Sequence, residues 1–440
     1  MVKYIKYNLN ATSENIEKSI KYNTYNRNDS VKSFIEALDM IDTNMFISID
    51  AKWGEGKTFF VKQIEKTLLY ITRKQLGEDV NGFEDIFSKS SLKDISLNNT
   101  YLPIYYNAWS YDYHSNPLLS LIALVVKECG KYVSTQLNVP TISKNFNKLI
   151  PSFSVLGGCA TVDVKEALIS MQGKDILDEI KTSDEIAELV KQILDDVITE
   201  SAQKLIIFID ELDRCKPSYA IDLLERIKHF FNDDRIIFVV SLNKEQMAYT
   251  ISKYYGIGFD STGYLNRFFD VNICLPEVSR NNKRSNIFSV NREHSHVKYI
   301  VNDLSDYYIL SLRDAIIYQQ NMEMTSKQFY DDYSAQGCLY SIFVPIIKVL
   351  EIVDVKKKND FLNGDGKIMD ALFSEVPSLY KIACRFGDKG EETKENFEIG
   401  YKKILEIYAC EFGQGKSYRG TIPYTANLKD ICIRVCNGDL

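Results

Sequence analysis

Lys57 and Thr58 close the run Phe46-Ile-Ser-Ile-Asp-Ala-Lys-Trp-Gly-Glu-Gly-Lys-Thr58, an apolar strand pattern that passes through a tight loop and opens a helix. The spacing follows the phosphate-binding template G-x-x-x-x-G-K-[ST], except that Ala51 stands where the first glycine is expected. Gly54 and Gly56 let the backbone turn so that successive N–H groups point inward, and the helix beginning near Thr58 adds its positive end beneath them. In that frame Trp53, Gly54, Glu55, Gly56, Lys57, Thr58 and Phe59 line a cradle for nucleotide phosphates. Lys57 reaches the β and γ phosphates, and the Thr58 hydroxyl binds Mg²⁺. Ala51 fits the first turn of such a loop only if its φ is negative.

Hydrolysis of a phosphoanhydride also needs a metal to neutralise developing charge and a base to orient water. The run Lys204-Leu-Ile-Ile-Phe-Ile-Asp-Glu-Leu-Asp-Arg214 offers both at its end. Asp210 holds Mg²⁺ through water, and Glu211 is the water-activating carboxylate. An acid at a strand end also serves as a turn or cap residue; the cradle upstream is what selects the chemical reading.

These residues need a sheet to hold them, and the elements for one are legible. Strands are read at the cradle, at Tyr101–Asn107, at Lys204–Asp210, at Arg235–Leu242 and at Val271–Leu275. Continuous apolar runs such as the third are what a strand buried on both faces requires. Between them lie helical patterns: Ser30 to about Ile41, capped by Asn28 and Asp29; the helix after Thr58, with Phe60, Ile64, Leu68 and Ile71 on one face; Ile186 to Ser201; and a helix after Pro217. Phe83–Asn99 reads as loop with short helical pieces. Asn107-Ala-Trp109 falls at the carboxyl edge of the sheet, where open α/β sheets bind ligands. Strands alternating with helices predict a mostly parallel, doubly wound α/β sheet. Beyond Pro276 the patterns are helical only, at Tyr308–Tyr318, Ile342–Ile352 and Tyr401–Phe412, so an α-helical C-terminal region is expected.

The chain has 440 residues, room for roughly two or three domains. Its nine cysteines are scattered, with no CxxC pair, which suits a reducing cytoplasm. Lys3, Lys6 and Asn8 break the N-terminal segment, leaving no signal-peptide core. The apolar stretches Leu118–Val126 and Ile342–Val353 are about half the roughly 20 residues a membrane helix needs. A net charge of −7 argues against a general nucleic-acid coat.

Taken together, Trp53-Gly-x-Gly-Lys-Thr, Tyr106-Asn-Ala-Trp109 and Ile-Asp-Glu-Leu-Asp-Arg-Cys215 with the helix through Leu224-Glu-Arg-Ile-Lys228 resemble the KAP family of P-loop NTPases over about residues 25 to 320. The resemblance implies a sheet of the additional-strand, catalytic-glutamate class, with an extra strand between the cradle strand and the Asp210 strand. It also implies ATP as the nucleotide and, for prokaryotic members, roles in excluding phages or mobile elements. Many members carry membrane helices between the two motifs; Pro151–Thr161 is too short for them, so no span is expected. The expected organisation is a core over 1–280, with helical insertions at about 70–100 and 112–203, and a helical region over 281–440.

Further candidates carry two readings each. Asp213 and Arg214 match the family motif and either support the site or a subunit contact, or form a structural ion pair. Ser241 and Asn243 end a strand where related ATPases place a polar sensor; Asn243 also fits as the N-cap of a helix over Lys244–Tyr255. Gln246 lacks the carboxylate that guanine recognition needs. Arg267 stands where oligomeric ATPases place an arginine finger, and also where a surface ion pair forms. Arg313 is read as an arginine of the helical region sensing the γ phosphate, or as a helix-surface residue. Arg280, Lys283, Arg284 and Arg292 form a basic segment, either a solvated linker or a nucleic-acid contact. The function expected is Mg²⁺-dependent ATP hydrolysis in the cytoplasm, driving a conformational or assembly switch with a second copy or a partner protein. A nucleotide-regulated scaffold and a DNA-associated motor are the rival readings.

Overall fold

The computed structural model describes residues 10–24, 26–132, 183–275, 295–326, 335–388, 391–413 and 427–437. They belong to two compact units, within 10–277 and within 278–440. The basic segment from Arg280 to Arg292, the Pro151–Thr161 stretch and most of the expected second insertion lie outside the described residues.

The first unit is built on five strands: β1 (Met45–Asp50), β2 (Tyr101–Asn107), β3 (Lys204–Asp210), β4 (Ile236–Leu242) and β5 (Val271–Cys274). Every pairing is parallel, in the order β2-β3-β4-β1-β5. β4 therefore separates β1 from β3, which is the additional strand expected between the cradle and the acid strand.

Side chains alternate across this sheet into two separate cores, as period-2 geometry demands. Leu205, Ile207 and Ile209 of β3, with Phe238 and Val240 of β4, enter one core with the helices Pro117–Tyr132, Ser183–Ser201 and Pro217–Phe230. Ile206 and Phe208, with Ile237, Val239 and Ile47, enter the other, against the helices Asn28–Asp39 and Lys57–Gln75. Both central strands are buried along their whole length, which explains their unbroken apolar sequence. β5, by contrast, is a short and largely exposed edge.

Register decides what the sheet presents at its carboxyl edge. Asn107 pairs with Asp210, Ser241 with Ile49, and Leu242 with Asp50. Asp50, Asn107, Asp210 and Ser241 thus reach one rim, beside the loop that follows β1.

The second unit is helical. Among the described residues its longest helix, Ala335–Val353, buries the apolar stretch that the sequence carries there, around an aromatic cluster of Phe343, Phe361, Tyr408 and Phe412. Helices Pro377–Phe386 and Lys394–Glu411 meet at Gly400, where a β-carbon would come 1.8 Å from the Ala383 carbonyl oxygen. Among the described residues no helix is long and apolar enough to cross a membrane.

Two local expectations are corrected. Asn28 and Asp29 do not cap the second helix; it begins at Asn28 itself, behind Arg27. Asn28 is buried and its amide instead donates to the Ile20 carbonyl and to Ser90 Oγ, so the carboxamide ties three segments together. The helix expected from Tyr308 starts only at Leu312, because Ile309 adopts a left-handed φ of 48° that a helix cannot include.

Candidate functional site

The loop after β1 has the shape its glycines predict. Gly54 and Gly56 have φ values of 87° and 82°, where a β-carbon is disfavoured. Ala51, the departure from the template, is not among the residues with positive φ. Its N–H continues the sheet ladder by donating to the Leu242 carbonyl at 3.3 Å. The first position of this loop therefore does not need glycine's freedom. The helix Lys57–Gln75 starts directly after Gly56, so its N-terminal end, which carries no side-chain cap, opens onto the loop.

Lys57 is buried, and its ammonium donates to the carbonyls of Ala51 (2.7 Å) and Lys52 (3.3 Å). Burial lowers its pKa, while the carboxylates of Asp213, Asp210, Glu211 and Asp50 oppose that shift. A cation held by two loop carbonyls among acids is poised to exchange them for phosphate oxygens.

Asp210, at the end of β3, is almost completely buried. Its carboxylate accepts from Tyr105 OH at 2.9 Å, from the Glu211 N–H at 3.0 Å and from Ser241 Oγ. These three donors fix its orientation from β2, from the turn after β3 and from β4. Glu211 follows in a left-handed conformation with φ of 62°, uncommon outside glycine and concentrated at functional sites. That turn swings its side chain toward the loop, where Thr58 Oγ1 donates to Oε1 at 3.4 Å. Arg214 forms an ion pair with the other oxygen. Burial, then Asp210 and Asp213, push the Glu211 pKa up, while Arg214 and the Thr58 hydroxyl pull it down.

Two further contacts tie the motifs together. Trp53 Nε1 donates to Asp213 at 2.5 Å, linking the loop to the turn after β3. The Arg214 guanidinium lies 5.5 Å from the Trp109 ring centre. Trp53 and Trp109 are both about half exposed, forming an aromatic rim.

Lys57, Thr58, Asp210 and Glu211 are thus brought together, with Trp53 alongside. Glu55 is half-buried in the loop turn and Phe59 packs against the adjoining core. Asn243 spends its carboxamide oxygen on capping the helix Lys244–Tyr255, accepting from the Gln246 N–H at 3.2 Å. Ser241 is the residue of that strand end which touches Asp210. Arg267 is exposed, directly after the helix Ser261–Asn266. Arg313 is exposed in the first turn of the helix Leu312–Ser326 of the second unit.

Sequence reasoning missed Tyr105 and Arg27. Tyr105 is one of three tyrosines in β2, so its hydroxyl near the strand end was only a weak signal. Arg27, buried and donating to the Gly56 carbonyl at 3.3 Å, carried none, since 29 residues separate the pair.

The donor set suits a nucleotide with a hard cation. Among the described residues no cluster of three or more His, Cys, Asp or Glu side chains forms a ready metal cage. Mg²⁺ would be held by the Thr58 hydroxyl and the Asp210 carboxylate together with phosphate oxygens and water, the ligand types it favours.

Comparison with known proteins agrees with this geometry. The family model for the KAP family P-loop domain matches residues 27–328. The chain belongs to the KAP family of P-loop NTPases, and nucleotide binding comes with that membership. No match was found among curated protein sequences. A solved structure of C. elegans PCH-2 is similar at 12% identity and a TM-score of 0.26, over 78% of this chain and 70% of that one, a likeness too distant to carry an argument.

Proposed function

We propose that this KAP-family domain hydrolyses ATP with Mg²⁺, and that the cycle drives a conformational or assembly switch. One observation carries the reading: Thr58 of the cradle helix and Glu211 of the acid strand lie in hydrogen-bond contact across 153 positions of sequence, beside buried Lys57 and Asp210.

Each residue has a task that its position supports. The N–H groups of the Gly54–Thr58 segment receive phosphate oxygens, and Lys57 transfers its ammonium from the Ala51 and Lys52 carbonyls to them. Thr58 and Asp210 would hold the metal, which would supply neutralisation of the charge developing on the phosphates. Glu211 orients a water molecule and accepts its proton. Tyr105 and Ser241 keep Asp210 aimed at the rim.

Arg267 is proposed as the group that a second copy contributes. An exposed guanidinium at this position can meet charge on another molecule, and the role predicts activity that rises with protein concentration. Anti-phage or mobile-element defence in a prokaryotic cytoplasm is proposed as the setting, and that part rests on family resemblance alone. The reading is tested by ATP turnover of the purified chain, with sizing in ATP and in ADP. ATP consumption with a nucleotide-dependent change in size supports it, and a chain that binds ATP without consuming it leaves only the scaffold reading.

A further inference from the structure

We propose that Arg214 is a positioning residue for Glu211 and that Trp109 is the platform on which it rests; the inference deepens the hydrolase reading above. Glu211 in its left-handed conformation reverses the chain, and the short 3₁₀ turn Leu212–Arg214 follows at once, closed by the Arg214 N–H donating to the Glu211 carbonyl at 3.1 Å. The turn returns the Arg214 side chain to the residue that made it, so that Nε pairs with one Glu211 oxygen while Thr58 holds the other. An ion pair at one oxygen and a hydrogen bond at the other restrict how the carboxylate can turn. Held by Thr58 alone, it is free to swing about that contact.

The guanidinium is itself supported. Trp109 belongs to the helix Ala108–Tyr111 at the end of β2, whose start is fixed by Asn107 accepting from the Ser110 N–H at 3.1 Å. The guanidinium sits 5.5 Å from the centre of this indole, within cation–π range. The neighbouring residue of the same turn, Asp213, receives the Trp53 N–H from the phosphate loop. Both tryptophans of the chain therefore anchor one three-residue turn, Trp53 from the loop side and Trp109 from the β2 side. A flat, delocalised cation suits this place: it pairs with a carboxylate edge-on while lying over a ring, which an ammonium does less well. A pair kept only for stability has no need of the indole, nor of an acid in a strained backbone state. The Arg214 side chain is about one-third exposed, so replacing it empties no core.

The experiment compares Arg214→Gln, Arg214→Lys, Trp109→Ala and the double variant R214Q/W109A in steady-state ATP hydrolysis by the full chain. For Arg214→Gln the expected result is a fall in kcat of about 10- to 100-fold, with KM held within about twofold, since misplacing a reacting group by about an ångström has that effect. Arg214→Lys recovers part of the loss, and the double variant is no worse than R214Q, because both changes break one line of support. A nucleotide-free readout accompanies it. In a Trp53→Phe background only Trp109 emits, and both Arg214→Gln and Glu211→Gln shift that emission if the chain of contacts is real. Active wild type with unchanged R214Q kinetics, losses shared equally by kcat and 1/KM, or emission indifferent to both changes overturns the role of Arg214 while leaving the hydrolase reading intact. An inactive wild-type chain overturns both.

Discussion

Thr58 Oγ1 donates to Glu211 Oε1 across 3.4 Å, and that contact fixes where the phosphate loop stands relative to the acid strand. β4 lies between the strands that carry them, so the two residues meet only because each extends past the carboxyl rim of the sheet. Backbone form produces the approach on both sides. Gly56 leaves the loop at φ 82° into the helix that presents Thr58, and Glu211 turns back at φ 62°.

Removing Lys57 separates its binding role from any part in folding. Its ammonium bonds only to carbonyls of its own loop, so the fold loses little with it. Lys57→Ala is expected to weaken ATP binding by about 10- to 100-fold, the worth of charged hydrogen bonds of roughly 1.5–3 kcal/mol, and to shift the melting temperature by only a few degrees. Titration calorimetry beside a thermal melt checks both. Unchanged affinity would refute the cradle.

Metal removal tests Asp210. Chelation of Mg²⁺ by EDTA is expected to stop turnover in the wild type. In Asp210→Asn, which keeps the shape but not the charge, Mg²⁺ should no longer raise ATP affinity, whereas the wild type gains about tenfold from it, roughly 1.4 kcal/mol. Turnover that persists in EDTA counts against the assignment.

Stability should depend on pH through Glu65, a half-buried residue of the cradle helix. Burial raises its carboxyl from an ordinary value of 4.5 to about 7, with Glu128 adding to the rise and Lys62 and Lys66 opposing it. The folded state thus holds this proton more tightly than the unfolded chain. Its contribution is complete below about pH 4.5 and is lost as pH rises to about 7, a change on the order of 3 kcal/mol at about 1.4 kcal/mol per pH unit. Glu65→Gln should therefore melt higher than the wild type at pH 8 and close to it at pH 5. An equal gap at both pH values contradicts the attribution.

Strands and cradle were legible because their physics is local. β3 and β4 are buried on both faces and so must be continuous apolar runs, and a loop that turns through left-handed φ must carry glycine at 54 and 56. Ala51 was legible as a condition, a negative φ, and the structure meets it. What escaped depends on distant partners. Tyr105 reaches Asp210 and Arg27 reaches Gly56 only after the sheet has formed. Asn28 has the composition of a cap but yields that task to bridge Ile20 and Ser90. Asn243 had two readings, and the capping bond to Gln246 is the one its oxygen makes.

The central claim is that Glu211 activates water at a triphosphate held by Lys57, Thr58 and Asp210. Glu211→Gln keeps the size of the side chain and an oxygen for Thr58, but removes the base. Single-turnover mixing of this variant and the wild type with radiolabelled ATP and Mg²⁺ measures the step itself. ATP should remain bound and uncleaved in the variant, with the rate reduced by about 10²- to 10⁴-fold, the usual worth of a general base. Cleavage at the same rate in both proteins would contradict the account.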